Sequence, residues 1–147
     1  MRIEKLSLVM RLFLELIFVV GLGDMFFLHS LLPLFFGSTF EGIMVPSLAL
    51  LYASAAACLV GIRLIIALLQ SVKKETPFIA KNAKILSGIA VCSFAVTLCM
   101  LILQVLVNNV VVSLFALIFF VAGISCIILS ALFKKAVEFK AENDLMV

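Results

Sequence analysis

Three charged side chains, Glu15, Asp24 and Arg63, lie within long apolar runs of the sequence. Ionisable residues inside a membrane span carry a high free-energy cost and are therefore candidates for function. Glu15 follows Arg11 by one helical turn and should lie at the depth of Arg63. A salt bridge to either arginine would therefore lower the cost of both charges. We interpret Glu15 and Arg63 as residues that fix helix packing.

Asp24 differs from the other two charged residues, because no basic residue lies at its depth. It is about 20 Å along a helix from Arg11, in the outer half of a first span, and His29 is poorly placed to pair with it. One interpretation is a proton or cation site. The other is structural: the carboxyl group is protonated, or it is hydrogen-bonded across the bundle. The polar residues available for such a bond are Thr97, Asn108 and Asn109.

The thiols and the single histidine offer little chemistry. The four cysteines lie inside apolar runs and form no CxxC pair, so we interpret them as small packing residues. They are Cys58, Cys92, Cys99 and Cys126. No zinc motif, phosphate-binding loop or Ser/His/Asp set is visible. We therefore expect no catalytic residue, no metal site and no cofactor, and a protein that is not an enzyme.

The composition indicates the surroundings in which these residues lie. Hydrophobic residues make up 66% of the 147 residues and charged residues only 13%. Soluble domains are nearer half apolar and a quarter charged. The apolar runs predict four spans, at residues 11–32, 43–69, 85–107 and 110–133. We expect a single all-α integral membrane domain, residues 1–147, with four transmembrane helices in two hairpins.

Lysine and arginine are confined to one side of this arrangement. They lie in the N-terminal lead, at the inner end of the second span, in a connector at residues 70–84 and in a tail at residues 134–147. The two outer connections contain none, so the positive-inside rule predicts that both termini are cytoplasmic. No basic cluster alternates with aromatic residues, and we expect no direct binding of nucleic acid.

Small residues recur at every fourth position of the second span. They are Ala49, Ala53, Ala57 and Gly61. Small-xxx-small stripes let helix backbones approach closely in lipid, where dispersion contacts drive association. The stripe predicts close helix packing, either within the chain, in a homo-oligomer or with another membrane subunit.

The connector contains the most motif-like part of the chain. Thr76-Pro77 is typical of a helix N-cap followed by proline at the first helical position. The motif also resembles the signature of domain-of-unknown-function family 2975, a family of small bacterial four-span membrane proteins, and the layout resembles that family over nearly the whole chain. The matching residues are Pro77, Phe78, Asn82, Leu86 and Ile89. The chain departs from the signature at Ile79, where serine is common, and at Ser87, where a basic residue is common.

The resemblance implies a multi-pass protein of the bacterial cytoplasmic membrane with no established activity. Members are often encoded beside a small helix-turn-helix regulator, which implies a non-enzymatic accessory or regulatory role and contact with a cytoplasmic DNA-binding protein. The candidate contact residues are Thr76, Pro77, Phe78, Asn82 and Leu86. Two alternatives stay open: a small ion-coupled transporter that uses Asp24, and a structural subunit of a larger membrane complex.

Overall fold

Four long helices account for nearly all of the chain that the computed structural model describes, residues 2–36, 42–73 and 79–146. They are α1 (Arg2–Phe36), α2 (Met44–Lys73), α3 (Ala80–Val107) and α4 (Val110–Met146). Each is long and apolar enough to cross a membrane. A helix satisfies its own backbone hydrogen bonds, which is what a segment in lipid requires. The predicted all-α class with four membrane-spanning helices is confirmed.

Consecutive helices pack against each other, and their contacts show an antiparallel arrangement. Ser7 and Arg11 near the start of α1 lie beside Leu69 and Gln70 near the end of α2. Further along α1, Gly21 faces Leu59. The same up-and-down order continues through α3 and α4, so the starts of α1 and α3 and the ends of α2 and α4 form one end of the molecule. We call it the charged end.

The charged end also has the hydrophobic core cluster. Ile85, Leu86 and Ile89 of α3 are its buried residues. Partly buried apolar side chains from both neighbouring helices pack against them. They are Leu64, Ile65, Ala67, Leu68, Cys126 and Phe133. As a result, α3 is the central helix of the domain at this end.

Small buried residues recur on α2 and α4 at a spacing of seven, and Gly61, Gly123 and Ser130 among them face α3. On α2 they are Ser47, Ser54 and Gly61; on α4 they are Ala116, Gly123 and Ser130. A seven-residue repeat is typical of helices that cross at a small left-handed angle. The predicted stripe of small residues at every fourth position of α2 does not stay on this buried face. Ala49 and Ala53 are exposed, Ala57 is half-buried and only Gly61 is buried. The stripe as a whole is therefore not a packing surface within the chain.

The helix ends differ from the predicted spans. α1 begins before residue 11 and continues through Pro33, and α4 runs without a break from residue 110 to Met146. Residues 70–73 of the predicted connector belong to α2, and residues 80–84 belong to α3. The N-cap residue of α3 is Ile79, in an extended conformation and without a side-chain cap. The prediction that Thr76 caps this helix was therefore wrong.

The turn between α3 and α4 was predicted correctly. Asn108 adopts the left-handed conformation with φ 48°, and its N–H donates to the carbonyl oxygen of Gln104. Asn109 accepts a 2.8 Å hydrogen bond from the backbone N–H of Val111 through its side chain. Asparagine tolerates the left-handed region better than most residues and can cap a helix start. Two asparagines are thus sufficient to reverse the chain.

Candidate functional site

The charged pair that the sequence left open is formed within α1. Arg11 Nε donates to Glu15 Oε1 at 2.9 Å, and both side chains are substantially exposed. Arg63 does not join them. Its guanidinium carbon lies 4.2 Å from the ring centroid of Phe18, a cation–π contact between α2 and α1. Arg63 therefore contacts α1 through an aromatic face and not through Glu15.

Asp24 lines a groove of about 230 Å³ between α1 and α2. Within the described residues it makes neither a hydrogen bond nor an ion pair. The polar residues proposed as its partners are engaged elsewhere: Thr97 donates to the Ser93 carbonyl oxygen and Asn109 caps α4. The hydrogen bond across the bundle that one structural interpretation requires is therefore not formed.

A larger apolar cavity of about 620 Å³ adjoins this groove, in the half of the molecule opposite the charged end. It is lined from all four helices, mainly by leucine, valine and phenylalanine. The residues that represent each helix are Leu28 of α1, Leu51 of α2, Val96 and Leu103 of α3, and Phe115 of α4. This cavity could not be predicted, because no local sequence pattern shows where residues of four different helices leave a space.

The described part of the family motif lies inside the protein. Asn82 is 0% exposed and Leu86 is 5% exposed, and Ile89 belongs to the core cluster. These residues pack α3 against its neighbours and are not on a surface that a partner could touch. The other three candidate contact residues, Thr76, Pro77 and Phe78, lie outside the described residues.

A polar contact joins α3 to α4 at the residue next to Asn82. Ser130 of α4 donates to the carbonyl oxygen of Ala83 at 2.8 Å, and its hydroxyl lies 2.8 Å from that of Ser87. Ser130 is 3% exposed. Ser87 thus has a structural role at the position where the chain departs from the family signature. The contact was not predicted.

In the described ranges, no three or more His, Cys, Asp or Glu side chains are grouped so that they could hold a metal ion. The four cysteines are free thiols, each half-buried within a helix.

The fold and its apolar exterior define a multi-pass, all-α membrane protein. The family described as "Protein of unknown function (DUF2975)" matches residues 36–147, which is well over half of the chain. The protein belongs to this family. No curated protein and no solved structure matches the chain.

Proposed function

We propose that this protein is a non-enzymatic accessory or regulatory protein of the bacterial cytoplasmic membrane, with its charged end in the cytoplasm. The positive-inside rule supports this orientation, because the side chains of Lys and Arg cluster at the charged end. Described basic residues there are Lys5, Arg11, Arg63, Lys81, Lys84, Lys134, Lys135 and Lys140. The proposed partner is a cytoplasmic DNA-binding regulator of the helix-turn-helix type, as the family resemblance implies.

The observation that carries the proposal is the length of α4. The helix continues to Met146, about 20 Å beyond the predicted end of the span at residue 133. We call residues 134–146 the α4 extension. It combines lysines with acidic residues and exposed apolar side chains, of which Phe139 is 67% and Met146 is 87% exposed. A helix that projects from the membrane in this way offers a ready surface for a soluble partner.

The apolar residues of the α4 extension have a spacing suited to binding. Phe139 and Met146 are seven residues apart and therefore lie on nearly the same face of the helix. Anchors at this spacing are typical of a helix that binds in an apolar groove of its partner. Phe133, Ala136 and Val137 are half-buried, so the face that packs against the protein is a different one. The contact would be small, which suits transient binding.

Site-specific photo-cross-linking in the native cell tests this proposal. A photoreactive side chain at Lys140 should capture a DNA-binding regulator, and Phe139→Ala with Met146→Ala should reduce the yield of that product several-fold. Phe26→Ala is the matched control, because Phe26 is also exposed but lies within α1 at the level of the membrane. A yield that the α4 variants leave unchanged, or capture of no DNA-binding protein, would reject this contact.

A small ion-coupled transporter is the second candidate function, and the groove at Asp24 favours it. An intramembrane carboxylate with no partner in the described residues is a possible site for a proton or cation. Asp24→Asn in sealed vesicles should then abolish proton-linked uptake while leaving the protein folded. Vesicles that show no proton-linked flux with the unchanged protein would exclude the transporter.

A further inference from the structure

The groove at Asp24 and the large cavity share a wall. Leu28, Ala55 and Cys58 line both of them. Leu28 is also one helical turn from Asp24 along α1, so the two side chains lie on the same face of the helix. The carboxylate thus lies in a groove separated from the cavity only by these shared residues. The cavity itself extends to the turn between α3 and α4, where Asn109 lines it.

The cavity has the size and the lining of a site for a hydrophobic molecule. Its volume of about 620 Å³ is within the range of roughly 300–1,000 Å³ that is typical of ligand pockets. Ser54, one of its few polar residues, directs its hydroxyl to the carbonyl oxygens of Leu50 and Leu51 of its own helix. The interior therefore offers apolar surface and little opportunity for hydrogen bonds.

The carboxylate of Asp24 adds a requirement for positive charge. The Asp24 side chain is exposed at the surface of the protein, and its ionised form, where it meets lipid, is stabilised by a counter-ion. The chain supplies none in the described residues, since the nearest arginine on α2, Arg63, is placed over the ring of Phe18. A neutral acyl chain would fill the cavity but would leave this charge unpaired. A ligand with a cationic group would satisfy both parts of the site.

We propose that this site binds a hydrophobic organic cation. The apolar body of the ligand occupies the cavity, and its positive group pairs with Asp24 in the groove between α1 and α2. The site stands whether or not a regulator binds the α4 extension, because the two lie at opposite ends of the molecule. Binding also requires no transport.

Binding to the purified full chain in nanodiscs of phosphatidylcholine tests this site. The probes are tetraphenylphosphonium and dodecyltrimethylammonium, with binding to empty nanodiscs subtracted. We expect saturable binding that Asp24→Asn weakens by about tenfold or more, as loss of one charge pair implies. Asp24→Glu keeps the charge and should retain affinity within about threefold. Ala55→Phe, which fills the shared wall, should weaken binding without changing the charge.

Two controls make the outcome decisive. Glu15→Gln removes a carboxylate that is already paired with Arg11, and it should leave the affinity unchanged. Tetraphenylborate has nearly the shape of tetraphenylphosphonium with the opposite charge, and it should show no binding that depends on Asp24. The site is overturned if neither cation binds saturably, if Asp24→Asn binds as tightly as the unchanged protein, or if tetraphenylborate binds equally well. Circular dichroism and gel filtration verify that each variant is folded.

Discussion

Replacing Gly123 by alanine tests the packing of α3 on α4 most directly. A Cβ at this position would lie 3.0 Å from Cζ, 3.1 Å from Cε1 and 3.2 Å from Cε2 of the Phe94 ring. Carbon atoms pack best at about 3.5–4.0 Å, so the ring would have to move by roughly half an ångström. The ring also makes an edge-to-face contact with Phe120, with centroids 6.0 Å apart. Movement away from Gly123 would therefore disturb that contact.

The expected change in the free energy of unfolding follows from two opposing contributions. Alanine in place of glycine inside a helix stabilises by about 0.5–1 kcal/mol. Overpacking costs about 1–3 kcal/mol, and part of the aromatic pair, worth about 0.5–1.5 kcal/mol, is lost as well. We expect Gly123→Ala to lower the free energy of unfolding by about 0.5–2 kcal/mol. Gly23→Ala is the matched control, because a Cβ on Gly23 has nothing within 4 Å. It should show only the stabilisation that alanine gives in place of glycine within a helix.

Unfolding with dodecyl sulfate in mixed micelles, followed by far-ultraviolet circular dichroism, gives these free energies. The double variant Gly123→Ala with Phe94→Leu should recover part of the loss, because the shorter side chain removes the clash. If Gly123→Ala is as stable as Gly23→Ala, the ring does not rest on Gly123 and the close α3–α4 contact is refuted.

Three further predictions concern the polar residues and the orientation. Ser130→Ala should destabilise by about 0.6–1.7 kcal/mol, the range for hydrogen bonds between membrane helices, because it removes the bond to α3; dodecyl sulfate unfolding measures this. Glu15→Gln should change stability by less than about 0.5 kcal/mol in the same assay, because its pair with Arg11 is exposed. In intact cells, a cysteine at Asn109 should react with a membrane-impermeant maleimide, and a cysteine at Lys140 should react only after permeabilisation.

Each of these predictions has a control or a contradicting result. Ser125 is exposed and bonds only to a carbonyl of its own helix, so Ser125→Ala should cost less than Ser130→Ala; equal losses would show that the α3–α4 bond contributes nothing. A loss above about 1.5 kcal/mol for Glu15→Gln would be too large for an exposed pair. The labelling background must lack the four native cysteines. A reversed labelling pattern would overturn the cytoplasmic placement of the charged end.

Hydropathy and the positions of lysine and arginine predicted the number and order of the helices, because lipid leaves a spanning segment few alternatives to a helix. They did not predict where the helices end. Hydropathy marks where lipid ends, whereas the backbone of α4 continues its hydrogen bonds into charged sequence as far as Met146. The sequence pattern also placed the start of α3 at Thr76-Pro77, whereas α3 begins at Ala80.

For the site as well, the sequence predicted the charged residues better than their contacts. Glu15, Asp24 and Arg63 were found because a charge inside an apolar run is visible in one dimension. The pair of Glu15 with Arg11 was one of the two alternatives that the sequence left open. The contact of Arg63 with the ring of Phe18 was not predicted, because a cation–π contact between two helices has no local sequence signal. The cavity is lined from all four helices, Leu28 of α1 and Phe115 of α4 among them, so it is a property of the whole arrangement and not of a local sequence pattern.

The difference between the two small-residue repeats of α2 follows from helix geometry. Each four-residue step advances about 40° beyond one turn, so three steps carry the stripe about 120° round the helix. A seven-residue step falls only about 20° short of two turns. A stripe that begins at Ala49 therefore starts exposed and reaches the α3 contact only at Gly61, whereas the seven-residue repeat through Ser54 stays on that contact. Ala49 and Ala53 contribute little to the packing of the single chain. Association of a second copy through them stays a prediction, one that only the oligomeric state can decide.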